Sequence, residues 1–569
     1  MTAAEAMHVI ATAGHVDHGK STLVRALTGM DPDRLAEERR RAMTIELGYV
    51  WTRLPGAGRI AFVDVPGHER FVPTMLAGVG PVPAVLFVVA ADDPWMPQAA
   101  EHLAALDALG VRHGVVAVTR TDLADPAPAS RTVSRALSGT SLAGAPVVPV
   151  SARTGDGLPL LRDTLAALVR RLPPPDPAAD VRLWVDRVFT VTGAGTVVTG
   201  TLPGGRIRVG DELAVDGVPV RVRGLQALGA PVGEVTGPAR VALNVAGPGV
   251  AVLRRGVALV APDAWVGAAV LDVRLTTPHG QPEAPPPRQA DLHVGAARVP
   301  ARVRALAGGL ARLVPDRSLP LRVGDRALLR DPGNRRLWGV LVLDPAPPPL
   351  DRRGAARARA TVLAGVGADP DPRGEVDRRG LVHRDLLRRI GAGPAPVPLG
   401  DQSLSVGPWL VSRAYADRLA GAVAEALSAH DAGHPLDPGL SVHALAARLG
   451  LPDPQVLAAL VRPPLRVEGG RVVDPRHAGG LPPALRQALD AWRAHTADAP
   501  FVAPTADELA AMGLDASAIA AAARAGQLVR LAPGIVLPPD APALAAAWLA
   551  GLPQPFTVSE ARARLGTTR

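Results

Sequence analysis

Cysteine is absent from the 569 residues, and lysine occurs once. Without a thiol, disulfide frameworks, cysteine-ligated zinc and thiol catalysis are excluded, and a cytoplasmic protein is expected. No run of about 18 uncharged apolar residues occurs, so no membrane partner is expected. Residues 1–6 are too short and too little apolar for a secretory signal. Aromatics make up 3% against 47% hydrophobic overall, so the cores must be built from Ala, Val and Leu. That apolar mass suffices for about four domains at this length. Fifty-nine Gly and 59 Pro accompany a replacement of lysine by arginine, a drift of composition rather than a sign of disorder. The net charge of +9 leans toward an anionic partner without deciding for one. A monomer is expected.

The single lysine, Lys20, stands in Gly14-His15-Val16-Asp17-His18-Gly19-Lys20-Ser21. An apolar run over 8–11 precedes it as a short strand, and Thr22 opens an amphipathic helix over 22–27. Strand, glycine loop and helix in that order, with the spacing G-x-x-x-x-G-K-S, form a phosphate-binding loop. Gly14 and Gly19 allow the backbone to turn amides inward around phosphate oxygens, and the following helix brings its positive end to the same place. Lys20 reaches the β- and γ-phosphates, and the Ser21 hydroxyl takes a Mg²⁺ coordination position. The predicted phosphate contacts are therefore Gly14, His15, Val16, Asp17, His18, Gly19, Lys20, Ser21 and Thr22, joined by Gly67. A glycine turn with a surface lysine would explain the octapeptide alone. It would not explain why the only lysine of an arginine-rich chain lies where a compact ammonium is needed.

Apolar runs over 60–65, 84–90, 114–118 and 147–150 alternate with helical patterns over 98–109 and 158–171, which predicts a doubly wound α/β domain across residues 1–175. Asp64-Val65-Pro66-Gly67-His68-Glu69 closes the run over 60–65. There Asp64 holds Mg²⁺ through water, and the Gly67 amide senses the γ-phosphate. Upstream, Ala42-Met43-Thr44-Ile45-Glu46 offers Thr44 as a hydroxyl that reaches Mg²⁺ only when the third phosphate is present. Loops of this kind order on the triphosphate and relax after hydrolysis. The metal set is Ser21, Thr44 and Asp64. The strand over 114–118 leads to Thr119-Arg120-Thr121-Asp122, and Ser151-Ala152-Arg153 follows the last strand.

The pair G-H-V-D-H-G-K-S and D-V-P-G-H-E resembles the translational GTPases of the elongation factor Tu type. The resemblance implies GTP and GDP as ligands with Mg²⁺, His68 as the group that positions the attacking water when the ribosome docks, and Lys20 as its catalytic companion. It also implies Asp17 near a monovalent cation, and Thr119, Asp122, Ser151 and Ala152 around guanine. Arg120 departs from the lysine usual in the guanine motif; its aliphatic stem can still cover the base.

Beyond the proline-rich linker over 172–177, short alternating strands with glycine turns predict one β-barrel over 181–262 and a second over 263–345. Within the wider group, Ala11–Lys20, Met43–Tyr49, Met75–Gly80, the threonine-type guanine motif and Val241–Gly247 are similar to the bacterial selenocysteine-specific elongation factors. That resemblance implies delivery of selenocysteinyl-tRNA to the ribosome at a recoded UGA codon. It places Tyr49, Asp186, Arg187 and Arg240 around the aminoacyl group. The chemistry is sensible: a selenol ionises far more readily than a serine hydroxyl, so guanidiniums would favour it over seryl-tRNA.

Residues 373–569 carry Ala/Leu-rich helices in repeats. Capping boxes at Thr505-Ala506-Asp507-Glu508 and Thr557-Val558-Ser559-Glu560 each open a copy, and hairpins are expected over 465–473 and 528–537. These read as tandem winged helices, an earlier one lying within 373–440. By resemblance they bind an mRNA hairpin. The last copy is expected to be cut short, since residues 567–569 should begin its recognition helix; either the sequence is a fragment or the hairpin-reading module is missing. The alternatives are a general aminoacyl-tRNA carrier GTPase and a GTP-gated nucleic-acid-binding regulator.

Overall fold

The computed structural model describes residues 7–567 except 33–43, 45, 69–71, 81, 94, 194, 335, 394–402, 435, 438 and 477–480. Two compact units emerge, Met1–Glu375 with Arg384–Val397 and Val376–His383 with Pro398–Arg569.

The first unit begins with an α/β domain. Its strands are β1 (Met7–Gly14), β2 (Gly48–Leu54), β3 (Gly58–Asp64), β4 (Ala84–Ala90), β5 (His113–Thr119) and β6 (Val147–Pro149), in the sheet order β2-β3-β1-β4-β5-β6. All neighbours run parallel except β2, which pairs antiparallel with β3, Gly48 opposite Asp64. Every residue of β4 is buried because helices cover both faces of a parallel sheet. The helices are α1 (Lys20–Thr28), α2 (Val72–Val79), α3 (Pro97–Ala108), α4 (Pro126–Leu137) and α5 (Leu158–Arg170). One apolar layer gathers Leu23, Ile60, Leu86 and Leu165, the other Val9, Val63, Phe87 and Leu106. The chain leaves β1 for β2 and β3 on one side and reaches β4 on the other. The end of β1 is thus the switch point where such sheets form a crevice, and Gly14–Lys20 occupies it.

Two rings of six strands follow. In the first, β7 (Arg182–Val191), β8 (Gly195–Leu202), β9 (Glu212–Val215), β10 (Val218–Ala227), β11 (Ala239–Ala246) and β12 (Ala258–Val260) are ordered β9-β12-β7-β8-β11-β10, with β9 and β10 pairing to complete the ring. The second is a closed barrel of β13 (Leu271–Thr276), β14 (Gln289–Val294), β15 (Ala297–Ala305), β16 (Leu310–Pro315), β17 (Arg326–Arg330) and β18 (Leu337–Asp344). Alternation is clean on β11, where Ala239, Val241, Leu243 and Val245 point inward.

The arginine-rich stretch after the second barrel is a helix, Ala355–Ala364, and its Arg359 reaches into the barrel. Arg359 bonds Asp272 at 2.7 Å and also pairs with Asp344, while Arg312 binds Asp272 in two bonds of 2.7 and 2.9 Å. All four side chains are at most a tenth exposed.

In the second unit the repeat is physical. A long helix, Arg413–Gly433, is followed by a short strand, helices Val442–Arg448 and Pro454–Leu460, and a hairpin of Arg466–Glu468 with Arg471–Val473. The next copy has helices Pro483–Thr496, Ala506–Ala511 and Ala516–Arg524, then a hairpin of Val529–Ala532 with Ile535–Leu537. Each copy has its own core, one around Leu445 and Leu457, the other around Trp492 and Leu509. The capping boxes at Thr505/Glu508 and Thr557/Glu560 are both formed. The helix Val558–Leu565 ends on Gly566 at φ 63; residues 568–569 lie outside the described residues. Among the described residues no helix is long and apolar enough to cross a membrane.

Candidate nucleotide-binding site

The crevice at the end of β1 is built from residues that tolerate nothing larger. Gly14 sits at φ 133, and a Cβ there would lie 2.1 Å from the Val88 carbonyl oxygen, so β4 itself enforces glycine. Gly19 caps α1 in the left-handed region, φ 80, which turns the loop into the helix. Lys20 is buried, and its ammonium donates to the carbonyls of His15 (2.7 Å) and Gly14 (3.2 Å). Gly67 lies directly over it: a Cβ on Gly67 would stand 2.4 Å from Lys20 Nζ and 2.5 Å from the Val16 nitrogen. The loop after β3 therefore rests on the phosphate loop at the lysine.

The three oxygens predicted for the metal come together. Ser21 donates to Asp64 Oδ2 at 2.6 Å, and its oxygen is 2.9 Å from that of Thr44. Hydroxyl and carboxylate oxygens crowded beside an ammonium are the hard donors that Mg²⁺ requires, so the residues present fit that ion. Thr12, which sequence reasoning passed over, fixes the carboxylate: its hydroxyl donates to Asp64 Oδ1 at 2.7 Å and accepts from the Val65 amide at 3.0 Å. Its signal was a lone hydroxyl in an otherwise apolar strand. His102 on α3 was missed as well. Its Nδ1 accepts from the Gly14 amide at 3.1 Å, and burial, helped by the charge of Lys20, lowers its pKa to about 3. It is thus a neutral acceptor under the phosphate loop. His68 follows Gly67 half-buried, whereas Ala42, Met43, Ile45 and Glu69 lie outside the described residues.

The guanine residues also converge. Ser151 donates to Asp122 at 2.7 Å and holds its carboxyl below the ordinary range, with Arg153 3.8 Å away. Thr119 donates to the His18 carbonyl at 2.7 Å, joining this motif to the phosphate loop. Arg120, at φ 57, turns its guanidinium to Asp92 (3.2 Å) and to the Asp17 carbonyl. A cavity of about 620 Å³ runs from Lys20, Ser21 and Thr44 past Thr119 to Asp122 and Ala152.

A second cavity, about 250 Å³, lies where β2 meets the first barrel, lined by Tyr49, Trp51, Arg187, Phe189, Thr199 and Arg240. Arg240 forms a two-pronged pair with Asp186, one prong at 2.8 Å, and its guanidinium lies 3.7 Å from the centre of the Tyr49 ring. Tyr49 donates to Asp186 at 3.3 Å, and Thr199 does so at 2.7 Å. Burial keeps the Tyr49 phenol protonated. Burial opposes the charge on Arg240, but Asp186 overrides it and the net shift is upward. Arg187 bonds the Leu47 carbonyl and stands 3.0 Å from Glu46. Tyr49, Asp186, Arg187 and Arg240 are one cluster, and each guanidinium already faces a carboxylate.

Residues 5–174 match the family model described as the elongation factor Tu GTP binding domain. That match spans the α/β domain from end to end. Residues 287–349 match the β-barrel domain of the selenocysteine-specific elongation factor. The chain is 41% identical over 357 residues to the selenocysteine-specific elongation factor of Escherichia coli strain K12, a match covering 61% of this chain and 56% of that protein. It is 43% identical over 290 residues to that of Desulfomicrobium baculatum, covering 50% and 46%. The matched part thus spans about half the length of these relatives. A crystal structure of a bacterial selenocysteine-specific elongation factor superposes with a TM-score of 0.78 over 99% of this chain and 95% of that one at 23% identity, a likeness of fold.

Proposed function

We propose that this chain is a cytoplasmic GTPase that carries selenocysteinyl-tRNA to the ribosome, gripping it in the GTP state and releasing it after hydrolysis to GDP. One observation carries the reading. Thr44, in contact with Ser21, lies five residues before Tyr49, and Arg187 of the barrel holds the carbonyl of Leu47 between them. A loop whose position depends on the third phosphate is thereby tied to the aminoacyl pocket.

The phosphate loop binds the β- and γ-phosphates through its amides and Lys20, whose ammonium exchanges backbone carbonyls for phosphate oxygens. Ser21, Thr44 and Asp64 would hold Mg²⁺, which when bound would supply positive charge beside the same phosphates. Thr12 keeps Asp64 oriented, and the Gly67 amide meets the terminal phosphate. His68, one residue on, orients the attacking water, a role the ribosome completes by fixing its loop. Asp122 accepts the two guanine donors, so adenine nucleotides are rejected.

Arg240 and Tyr49 form a preorganised wall for the amino acid, supported by Asp186. The helical repeats supply RNA contacts from their hairpins, where Arg466 and Arg530 are exposed, and an mRNA hairpin is the partner proposed for them. The test is filter binding of the GTP-loaded protein to selenocysteinyl-, cysteinyl- and seryl-tRNA at fixed salt. Preference for the first is expected; equal retention of all three removes the selenocysteine reading and leaves a general carrier.

A further inference from the structure

The phosphate contacts proposed for His15 and His18 are backbone amides, which leaves their two imidazoles without a role in nucleotide binding. The His15 and His18 rings meet edge to face with centres 4.9 Å apart, and Asp93, just after β4, stands 3.3 Å from His18 Nε2. One donor atom from each of the three lies within 4.8 Å of the others. The His18–Asp93 separation is close to the roughly 3.3 Å between two ligands at about 2.0–2.1 Å from a tetrahedral zinc. The His18 side chain is 0% exposed and that of Asp93 32%, so an ion would enter past the carboxylate.

The site would use His18 Nε2, the ring nitrogen that faces Asp93, while Gln98 lies near enough to His15 to influence its charge. Burial lowers the pKa of both histidines, that of His18 to about 4. Both are therefore neutral at physiological pH, the form in which imidazole binds metal. Mg²⁺ does not match this set; two imidazole nitrogens with a carboxylate suit Zn²⁺ and its neighbours in the first transition row.

We infer that His15, His18 and Asp93 form a transition-metal site of the zinc class, built from side chains other than the Ser21–Thr44–Asp64 oxygens. Such an ion staples the phosphate loop to the end of β4. The His15 carbonyl holds Lys20 and the His18 carbonyl accepts from Thr119, so fixing both rings fixes both ends of the loop that encloses the phosphates. Nucleotide release slows in consequence. This inference stands on the loop geometry and does not rest on the tRNA assignment.

The test uses the full chain saturated with Mg²⁺ and GDP, which keeps the oxygen site filled, and titrates Co²⁺ as a coloured zinc substitute. The expected result is one equivalent of Co²⁺ with the strong visible bands of a low-coordinate nitrogen-containing site, displaced by Zn²⁺. Asp93→Ala abolishes them, whereas Asp92→Ala, which removes one of the partners of Arg120 and no ligand, retains them. Weak bands typical of six oxygen ligands, or equal strong bands in Asp93→Ala, would overturn the site. Should Asp93→Ala fail to fold, Asp93→Asn keeps the volume and must weaken Zn²⁺ binding at least several-fold by calorimetry. Zn²⁺ should also slow GDP dissociation several-fold in the parent and not in the Asp93 variant; an unchanged rate in the Zn²⁺-bound parent refutes the staple.

Discussion

Arg187 on β7 donates to the Leu47 carbonyl at 2.5 Å and stands 3.0 Å from the Glu46 carboxylate, so the first barrel holds the strand entry that follows Thr44. If this contact transmits the nucleotide state, its loss should uncouple two affinities that otherwise move together. Arg187→Met is expected to weaken GTP-dependent tRNA binding about tenfold, near 1.4 kcal/mol, while GTP affinity measured alone stays within about twofold of the parent. Fluorescent-nucleotide titration with and without aminoacyl-tRNA reads both. Equal losses in the two would show that the arginine merely supports the loop.

Lys20 is enclosed by carbonyls below and Gly67 above, which leaves space for an ammonium and for little else. Lys20→Ala should lower GTP affinity about 100-fold, from the loss of two charge-assisted hydrogen bonds at roughly 1.5 kcal/mol each. Lys20→Arg should fare no better, because a planar fork cannot enter that space. Calorimetry with GTP and GDP decides, with circular dichroism confirming the fold. Near-parental affinity in Lys20→Arg would mean that the pocket is less exact than its geometry indicates.

The parallel strands were readable because burial on both faces makes each an unbroken apolar run, as in Ala84–Ala90. The strand Gly48–Leu54 escaped: as an edge strand it mixes Thr52 and Arg53 among apolar residues, and no run forms. The helices Val72–Val79 and Pro126–Leu137 were hidden by internal proline and glycine. At the site, spacing was enough to pick out residues that the fold brings around one cavity, among them Lys20, Ser21, Thr44 and Asp122. Thr12 showed only as a hydroxyl within a mostly apolar run, and His102 and Asp93 gave no signal, since each acts through a neighbour that only the folded sheet brings near. Tyr49, Asp186, Arg187 and Arg240, expected together from the sequence, do lie in one cluster, but the carboxylate partners of the arginines were legible only in part: Asp186 was in the predicted set and Glu46 was not.

Asp122 owes its lowered pKa first to the Ser151 hydroxyl. If Asp122 reads guanine as proposed, binding that depends on its carboxylate persists above the folded-state pKa and fails as pH falls through it. With that pKa depressed, the acid limb of GDP binding lies below the ordinary carboxylate range. Ser151→Ala should move the limb upward toward that range while leaving affinity at neutral pH only modestly reduced. A pH series of GDP dissociation constants measures it, and an unmoved limb would assign the acid loss to another group.

Arg359 places its guanidinium between Asp272 and Asp344, both almost fully buried. Removing one partner of a buried ion network strands charge without solvent. Arg359→Met should destabilise the second barrel by about 3–5 kcal/mol, far more than an exposed pair would cost. Urea unfolding followed by tryptophan fluorescence reports it through Trp338, which sits in that barrel's core. A shift below about 1 kcal/mol would show that Arg312 alone compensates Asp272.

Arg240 and Asp186 raise the question of whether their pair serves stability or recognition. Each side chain is at most a tenth exposed, so Arg240→Leu alone strands Asp186 and should cost about 3–5 kcal/mol. Loss of tRNA binding in that variant would therefore be ambiguous. The double variant Arg240→Leu/Asp186→Leu removes both charges, and replacing a buried pair by apolar residues is often close to neutral in stability. If the guanidinium is kept for the aminoacyl group, the double variant should melt near the parent and yet bind selenocysteinyl-tRNA no better than seryl-tRNA. If it is kept for folding, the double variant should retain the preference. Melting curves and filter binding on the same preparation separate the two, because stability and selectivity then move in different proteins rather than together in one.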